Sequence, residues 1–576
     1  MTENKTENKT ATTRAPDTST EGGKKREHAG GFLGLVERLG NMLPDPFWLF
    51  VILSGLVLVS SFIGEKIGMT ATNPSTGEEV EVTNLLSAEG LQRMINEAVP
   101  NFTSFPPLGL IIIVMLGVAV AEHSGLIGAA IRGAIGRVGP TMLTFVVALA
   151  GVTGSIASDA VYVILIPIGA TAFRHVGRSP IVGAMVAFAA SSAGFNSSLI
   201  LNITDVLLAG LSTSAAEIVE PGYEVSPLAN YFFVVPSAVV LALIITAVTE
   251  LFVRNKAREL VDHDDVDYEA ASFGETPPNS SDGDTAPDSA EKDADSDAST
   301  ATGTGTDDAG ETDDGEDRDE ARLELHDVEK RGLVRVAVWS LVLLAAYFAA
   351  MFVPGSPLQG EDGAVMDSPL IRSIAVAIAL YFLIVGIVYG RVTGTITEAA
   401  DVPAFMAKGI QTLVPMMVLF FAVAQFLAYF NWSNLGVWSA IHGAELLSRA
   451  DLPNPVLFGL FVLLVAVLNL MVTSGSAQWA LMSPVVVPMM MYVGVSPEVS
   501  QMLFRIGDSP TNIITPMSPY FALALTFLQR YYKRAGIGTL MSLALPYSIA
   551  MLVGWFLFFL VWYFLGLPLG PGVPVR

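Results

Sequence analysis

The chain has 576 residues, of which 52% are hydrophobic and only 15% are charged, and its mean hydropathy is +0.54. A soluble globular protein carries about 25% charged residues, so the composition argues against an ordinary cytosolic enzyme. Because the sequence contains no cysteine, disulfides, thiolate metal sites and cysteine nucleophiles are also excluded.

The N-terminal region is first polar and then amphipathic. Residues 1–31 lack the apolar core of a signal peptide, and we expect a disordered cytoplasmic tail there. In residues 32–45 the large apolar side chains fall on one helical face, which predicts an amphipathic helix lying along the inner leaflet. These side chains are Phe32, Leu35, Val36, Leu39 and Leu43.

Long uncharged runs fill the rest of the chain on both sides of one acidic segment. A spanning helix needs about 20 predominantly apolar residues, and by that rule the runs predict about nine to twelve membrane segments, some too short to cross alone. We therefore predict an all-α polytopic membrane protein, with a first half at 46–254, a second half at 331–568 and a C-terminal tail at 569–576. The runs are 46–64, 98–121, 138–158, 160–173, 179–204, 225–249, 336–360, 373–390, 409–444, 452–497, 509–529 and 535–575.

The acidic segment between the halves accounts for nearly all of the net charge of −24. Residues 262–329 contain 25 acidic and 3 basic residues, so the remainder of the chain is close to neutral. Residues 255–330 are too polar to form an apolar core, and we expect a disordered cytoplasmic linker there. A regulatory tail or a cation trap is the alternative interpretation.

Clusters of Lys and Arg set the predicted orientation. They occur at 24–26, at both ends of the linker (254–258 and 330–335) and at 530–534, which indicates that these regions are cytoplasmic. The stretch 65–97 contains six acidic and two basic residues and is expected outside. We therefore expect a multi-pass protein of the plasma membrane whose N-terminus and linker face the cytoplasm.

A short sequence echo relates the two halves. Residues 176–180 (Val-Gly-Arg-Ser-Pro) recur as residues 493–497 (Val-Gly-Val-Ser-Pro), and a small, polar stretch containing glycine precedes each copy. Matching interruptions in two apolar halves are typical of the binding site of a secondary transporter. We predict an inverted repeat with re-entrant hairpins near 150–176 and 470–493. The alternative is close helix packing through small residues.

Ionisable residues within the apolar sequence are candidates for function, because they are costly to bury there. Arg505 and Asp508 stand three residues apart, close enough to pair on one helical face. Thr511 and Asn512 follow and add oxygens of the kind that hard cations prefer. The alternative is an ion pair that only joins two helices.

Two further positions have open interpretations. Asp205 directly follows the uncharged run 179–204 and is either a site residue or an ordinary carboxylate at a helix end. Trp479 is either an aromatic residue at the membrane interface or a stacking wall for an aromatic substrate.

Motifs spread along the chain add a further indication. Residues Glu37–Pro46 read ERLGNMLPDP, residues Ser474–Met482 read SGSAQWALM, and Arg505-Ile506-Gly507-Asp508 is followed by Thr511-Asn512-Ile513-Ile514-Thr515-Pro516. Together these motifs resemble the AbgT family, the p-aminobenzoyl-glutamate transporters. The resemblance extends through both apolar halves and leaves out the acidic linker.

The resemblance implies a homodimer of spanning helices with two re-entrant hairpins, which moves p-aminobenzoyl-glutamate. Some members resemble efflux pumps for sulfonamide-type antimetabolites. The positions that are important in the family fall on Asp205, Ser476, Trp479, Pro497, Arg505, Asp508 and Pro516.

We therefore expect secondary active transport without a cofactor, driven by Na⁺ or H⁺, with membrane lipid and a second copy as partners and no nucleic acid. The predicted substrate positions are Ser476, Trp479, Arg505, Asp205, Pro497 and Pro516. The predicted cation positions are Asp508, Thr511 and Asn512, with Asn196 and Ser197 from the first half.

The alternatives are drug efflux and a carrier for another small carboxylate. A membrane enzyme is disfavoured because no His-Glu-x-x-His or paired acidic motif is present.

Overall fold

The computed structural model describes residues 44–73, 77–136, 138–157, 160–260, 325–360, 368–472, 474–516 and 518–576. The tail expected at 1–31, nearly all of the interfacial helix expected at 32–45 and most of the linker expected at 255–330 lie outside these residues. Those three expectations therefore stay predictions.

The described residues of the first half are mainly helical and include a small β-hairpin, in which β1 (Thr70–Thr72) pairs antiparallel with β2 (Glu79–Glu81) and Thr70 lies opposite Glu81. Its helices are α1 (Pro46–Ile67), α2 (Ala88–Thr103), α3 (Pro106–His123), α4 (Leu126–Ile135), α5 (Leu143–Thr153), α6 (Ala160–His175), α7 (Pro180–Ala193), α8 (Ile203–Ala216), α9 (Tyr231–Val248) and α10 (Arg254–Leu260). A 3₁₀ turn, Gly154–Ala157, follows α5, and a π-helical turn, Thr249–Val253, joins α9 to α10.

The described residues of the second half are mainly helical, with a β-bridge between Gly570 and Val573 near the C-terminus. Its helices are α11 (Asp327–Phe352), α12 (Pro369–Arg372), α13 (Ile374–Thr393), α14 (Asp401–Trp432), α15 (Leu435–Ala450), α16 (Asn454–Asn469), α17 (Gly475–Tyr492), α18 (Pro497–Asn512), α19 (Pro519–Tyr531) and α20 (Ile537–Leu565).

Seven stretches in the described part of the chain are long and apolar enough to cross a membrane. They include α1, α11, α13, α14 and α20. The prediction of nine to twelve membrane segments also included apolar runs that are too short to cross alone. For example, α5, α6 and α7 have 11, 16 and 14 residues. At about 1.5 Å per residue each of these is shorter than a bilayer core of about 30 Å, because glycine, proline and polar residues end them early.

Small residues allow the central helices to approach closely. Helix α3 packs against α8, α13 and α14, and a Cβ at Gly117 would overlap the backbone carbonyl of Ala379 on α13. In return, a Cβ at Gly386 of α13 would lie 2.7 Å from the backbone nitrogen of Ala121 on α3. Glycine at both positions is therefore what lets these two helices touch through their backbones.

The two echoed turns lie at opposite ends of α9. After α6, Arg178 contacts Glu250, which lies just beyond the C-terminal end of α9, and its Nη1 donates to Thr144 Oγ1 near the start of α5 at 2.8 Å. Before α9, the side-chain amide of Asn230 donates to the backbone oxygen of Glu498 in the first turn of α18 at 2.9 Å. The first echoed turn therefore lies beside the C-terminal end of α9, and the second lies beside its N-terminal end.

Candidate functional site

The two halves of the chain meet at Asp508 on α18. Its Oδ2 accepts a hydrogen bond from Asn196 Nδ2 at 2.6 Å, and the backbone N–H of Asn196 donates to Ser509 Oγ at 2.9 Å. Asp508 is only 1% exposed, and its Oδ1 has no hydrogen-bond partner among the described residues. Since buried polar atoms are normally paired, this carboxylate has one oxygen available for a ligand.

Asn469, the last residue of α16, ties the same region together. Its Nδ2 donates to the backbone oxygen of Asp508 at 2.7 Å, to Thr511 Oγ1 at 2.8 Å and to Asn512 Oδ1 at 2.9 Å. Its own Oδ1 is buried without a partner in the part of the chain that the structure describes. We did not predict this residue from the sequence, although an amide directly before the polar interruption was a usable signal.

Arg505 binds Asp205 and not Asp508. Its Nη1 donates to Asp205 Oδ1 at 2.6 Å and to the backbone oxygen of Asn196 at 3.3 Å. The prediction that Arg505 and Asp508 pair along one helix is therefore wrong. The reason is a capping box at the start of α8, in which Asn202 and Asp205 bond each other's backbone N–H and hold the Asp205 carboxylate against α18.

A cavity of about 410 Å³ lies beside Asp508, within the range of small-molecule sites. Four of the predicted positions line it: Asn196, Ser476, Asp508 and Asn512. Glu122 on α3 adds a second carboxylate, and none of the described residues that line the cavity is Lys or Arg. The cavity therefore presents carboxylates and other hydrogen-bond acceptors to a ligand. The Arg505 guanidinium lies outside the cavity wall.

Four aromatic side chains belong to the remaining wall. Tyr162, Phe195, Phe504 and Tyr520 all line the cavity. The rings of Tyr162 and Tyr520 are stacked, with centroids 4.1 Å apart and planes 5° apart. Sequence reasoning missed these four residues, because a single aromatic residue in apolar sequence looks like ordinary core.

Trp479 is fully buried and does not line the cavity. Its Nε1 donates to Ser212 Oγ on α8 at 3.0 Å, and its ring packs against Phe504 with centroids 4.6 Å apart. Phe504 therefore stands between Trp479 and the cavity.

The other predicted positions also lie outside the cavity wall. Ser197 Oγ donates to the backbone oxygen of Val234 at 3.0 Å, and Thr511 Oγ1 donates to the backbone oxygens of Gly507 and Asp508. Pro497 begins α18 and Pro516 follows its end. These prolines set the limits of the helix that carries Arg505 and Asp508.

A second cavity, of about 250 Å³, lies near the opposite end of α3. It is lined by Pro106 and Leu110 at the start of that helix, whereas Glu122 at its end lines the first cavity. Tyr223 in the wall of the second cavity donates to the Glu498 carboxylate at 3.0 Å. Burial, and then the Glu498 carboxylate, raise the pKa of Tyr223 above its ordinary value, so this hydroxyl remains a donor near neutral pH.

The sequence profile of the AbgT transporter family matches residues 31–276 and 306–576. This chain belongs to the AbgT family. The family assignment and the all-α membrane fold expected from the sequence are thereby confirmed, and the protein is a multi-pass membrane transporter.

Relatives across the family agree with this assignment. The p-aminobenzoyl-glutamate transport protein of Escherichia coli (strain K12) is 35% identical over 550 residues, which cover 95% of this chain and 97% of that protein. The crystal structure of the Alcanivorax borkumensis YdaH transporter matches with a TM-score of 0.78 and 36% identity, over 92% of this chain and 100% of that one. Neisseria gonorrhoeae MtrF, assigned to a class of antimetabolite efflux pumps, matches with a TM-score of 0.80 and 38% identity, over 94% and 100%.

Proposed function

We propose that this AbgT-family protein is a secondary active transporter of p-aminobenzoyl-glutamate, or of a related aromatic carboxylate of the folate pathway. The observation that carries the proposal is the hydrogen bond from Asn196 to Asp508, which joins the two halves beside a buried cavity. The name of the Escherichia coli relative supports the substrate. Transport is coupled to a Na⁺ or H⁺ gradient, and the protein has no enzymatic activity.

Two re-entrant hairpins related by an inverted repeat build this site. The start of α5 and the turn after α6 are joined by the hydrogen bond between Arg178 and Thr144, which supports a chain that enters the membrane with α5, turns at Gly154–Ala157 and returns with α6 on the same side. The position of the echoed turns at opposite ends of α9 supports the inversion. In the second half, α16 and α17 are the two arms of the hairpin.

Arg505 receives the carboxylate of the substrate. Its Nε and Nη2 are buried and have no partner within the described residues, and these two nitrogens form the edge of a guanidinium that binds a carboxylate through two parallel hydrogen bonds. Because Arg505 does not line the cavity, the substrate reaches it only when one bundle moves against the other, as alternating access requires. Trp479 does not contact the substrate. It packs against Phe504 and thereby positions that ring in the cavity wall.

The coupling cation binds at Asp508. The unpartnered oxygens of Asp508 and Asn469, together with Asn512, Thr511 and Asn196, supply the oxygen-rich surroundings that Na⁺ prefers. The Asp508 carboxylate alone is sufficient for H⁺. Ser197 stabilises the site through its hydrogen bond to the backbone oxygen of Val234.

Gradient-driven uptake into reconstituted vesicles tests the proposal. With a Na⁺ or an H⁺ gradient imposed separately, we expect labelled p-aminobenzoyl-glutamate to accumulate under one of them, and we expect Asp508→Asn to abolish that accumulation. If no imposed gradient moves the labelled compound in either direction, the proposal is wrong. If Arg505→Ala transports at the native rate, the role given to Arg505 is wrong.

Efflux of sulfonamide-type antimetabolites is the second candidate. The similarity to MtrF supports it, and a cavity whose described wall contains Asp508 and Glu122 but no Lys or Arg suits an uncharged ligand better than an anion. Sulfonamides that compete with p-aminobenzoyl-glutamate, when small dicarboxylates do not, would favour this candidate. The opposite pattern would indicate a carrier for other carboxylates.

The protein acts as a homodimer in the plasma membrane, with its N-terminus and the acidic linker in the cytoplasm. Helix α11 supports this arrangement, because the most apolar part of that helix has no buried residue and must be covered by lipid or by a second copy. Chemical crosslinking in native membranes tests the assembly. Protease access to the linker in inside-out vesicles tests the orientation.

A further inference from the structure

The stacked tyrosines, Tyr162 and Tyr520, connect the two halves of the transporter in the wall of the cavity. Tyr162 lies in the first turn of α6, directly after the interruption of the first half. Tyr520 lies at the start of α19, in the second half. Their rings are nearly parallel at 4.1 Å, and both line the cavity beside Asp508.

The two rings differ in how deeply they are buried. Tyr162 is 2% exposed, and its hydroxyl donates to the backbone oxygen of Ser191 within α7 at 3.2 Å. Tyr520 is only partly buried and follows Pro519 at the beginning of its helix. Tyr162 therefore presents an aromatic face fixed by its own hydrogen bond, and Tyr520 is the more exposed ring of the pair.

The surroundings favour one kind of aromatic ligand. Aromatic rings gain about 0.5–1.5 kcal/mol from stacking, beyond the area that they bury. The described wall of the same cavity supplies the acceptors Asp508, Glu122 and Asn196, with no Lys or Arg. A ring that carries a hydrogen-bond donor suits this wall better than a ring that carries an anion, because the carboxylates of Asp508 and Glu122 repel an anion and accept from a donor.

We propose that Tyr162 and Tyr520 form the binding site for a 4-aminophenyl group, with the ring stacked on the tyrosines and its amine donating to a carboxylate of the cavity. This group is shared by p-aminobenzoyl-glutamate and by sulfonamides. The inference deepens the proposed function and rests on it only for the choice of ligands. It explains why one cavity can bind both candidate substrates, because this site contacts the aminophenyl ring and not the rest of the ligand.

Ligand binding to the purified full-length protein gives a test that needs no variant. Titration calorimetry compares p-aminobenzoyl-glutamate and sulfanilamide with benzoyl-glutamate and benzenesulfonamide, which lack the ring amine. We expect each amine-bearing ligand to bind at least about tenfold more tightly than its partner, as for a lost hydrogen bond to a charged group. Equal affinities within the two pairs would overturn the proposal.

Variants of the tyrosine pair give a second test. We expect Tyr520→Leu to weaken both amine-bearing ligands by about fivefold or more, and Tyr520→Phe, which keeps the ring, to restore most of the affinity. Phe352→Leu is the matched control, because Phe352 also stacks on a neighbour, Phe348, but on the exposed surface of α11. Native affinity in Tyr520→Leu would overturn the proposal.

The two proposals fail separately. A wild-type protein that binds 4-aminophenyl ligands but moves none of them under any gradient contradicts the transport proposal and leaves the tyrosine site standing. A protein that transports normally while Tyr520→Leu binds and transports like the wild type contradicts only the tyrosine site.

Discussion

Arg505 on α18 and Asp205 at the start of α8 form an ion pair at 2.6 Å, with side chains 1% and 6% exposed. The two residues are 300 positions apart in sequence. A buried pair of this kind stabilises little compared with apolar packing, but breaking it leaves one charge buried without its partner. The pair therefore holds α8 against α18 chiefly because separating the helices would leave each charge buried without its partner.

The first prediction concerns this pair. We expect Asp205→Asn and Arg505→Gln each to lower the free energy of unfolding by about 3–5 kcal/mol, and the double variant to lose less than the sum of the two. A double-mutant cycle in detergent micelles measures the coupling. Arg132→Gln is the control, because the pair of Arg132 with Glu329 is partly exposed and should contribute about 1 kcal/mol or less. Strict additivity at 205 and 505 would contradict the prediction.

The second prediction compares two serines that accept from buried tryptophans. Ser212 accepts from Trp479 at 3.0 Å and Ser237 accepts from Trp555 at 2.9 Å. We expect Ser212→Ala and Ser237→Ala each to cost about 1–3 kcal/mol of stability, since each leaves an indole N–H unpaired. Only Ser212→Ala should also change the KM for substrate, because Trp479 supports Phe504 in the cavity wall. Equal effects on KM would show that Trp479 has only a structural role.

The third prediction concerns the first residue of α17. A Cβ at Gly475 would lie 3.1 Å from Asp508 Oδ2 and 3.2 Å from Oδ1, so Gly475→Ala should displace the carboxylate that we assign to the cation. We expect the cation concentration for half-maximal transport to rise by about tenfold or more, as for other residues that orient an ion ligand. Gly538→Ala, in the first turn of α20 with nothing within 4 Å, is the control. An unchanged cation dependence in Gly475→Ala would count against the site.

The fourth prediction tests the contact between α3 and α13. Gly117→Ala should lower stability by about 1–3 kcal/mol, because the methyl group would overlap the carbonyl of Ala379 and force the helices apart. On the same helix, Gly109 has nothing within 4 Å, so Gly109→Ala should be neutral or gain up to about 1 kcal/mol from helix propensity. Thermal unfolding of both variants decides the matter, and a native melting temperature in Gly117→Ala would contradict the packing argument.

Long apolar runs were enough to predict helices such as α1 and α20, because twenty uncharged residues allow few other structures in a membrane protein. Helix α18 was harder to predict. Glu498, Arg505 and Asp508 interrupt its hydropathy, yet every residue from Pro497 to Thr511 is buried. Only the other helices around it make that burial possible, and hydropathy along the chain carries no information about them.

The site was predicted where local spacing was sufficient and missed where tertiary contacts decide. Ser476, Asn196, Asp508 and Asn512 do line one cavity, which their polar character in apolar sequence had indicated. The partner of Arg505 could not be predicted from spacing. Asp508 is three positions away in sequence, but Arg505 pairs with Asp205 on another helix. The stacked tyrosines were equally invisible, since a face-to-face contact between distant segments leaves no local pattern.

The polar character of α18 has a consequence for biosynthesis. A Lys, Arg or Asp near the middle of a helix disfavours its release from the translocon into lipid by about 2.5–3.5 kcal/mol, and α18 carries Arg505 and Asp508. This helix contacts α7, α8, α16, α17 and α20, so part of its shelter is synthesised before it and part after it. Part of the surroundings that shelter Arg505 and Asp508 therefore does not yet exist when α18 leaves the ribosome, and we expect stable membrane insertion of α18 to require the synthesis of α20.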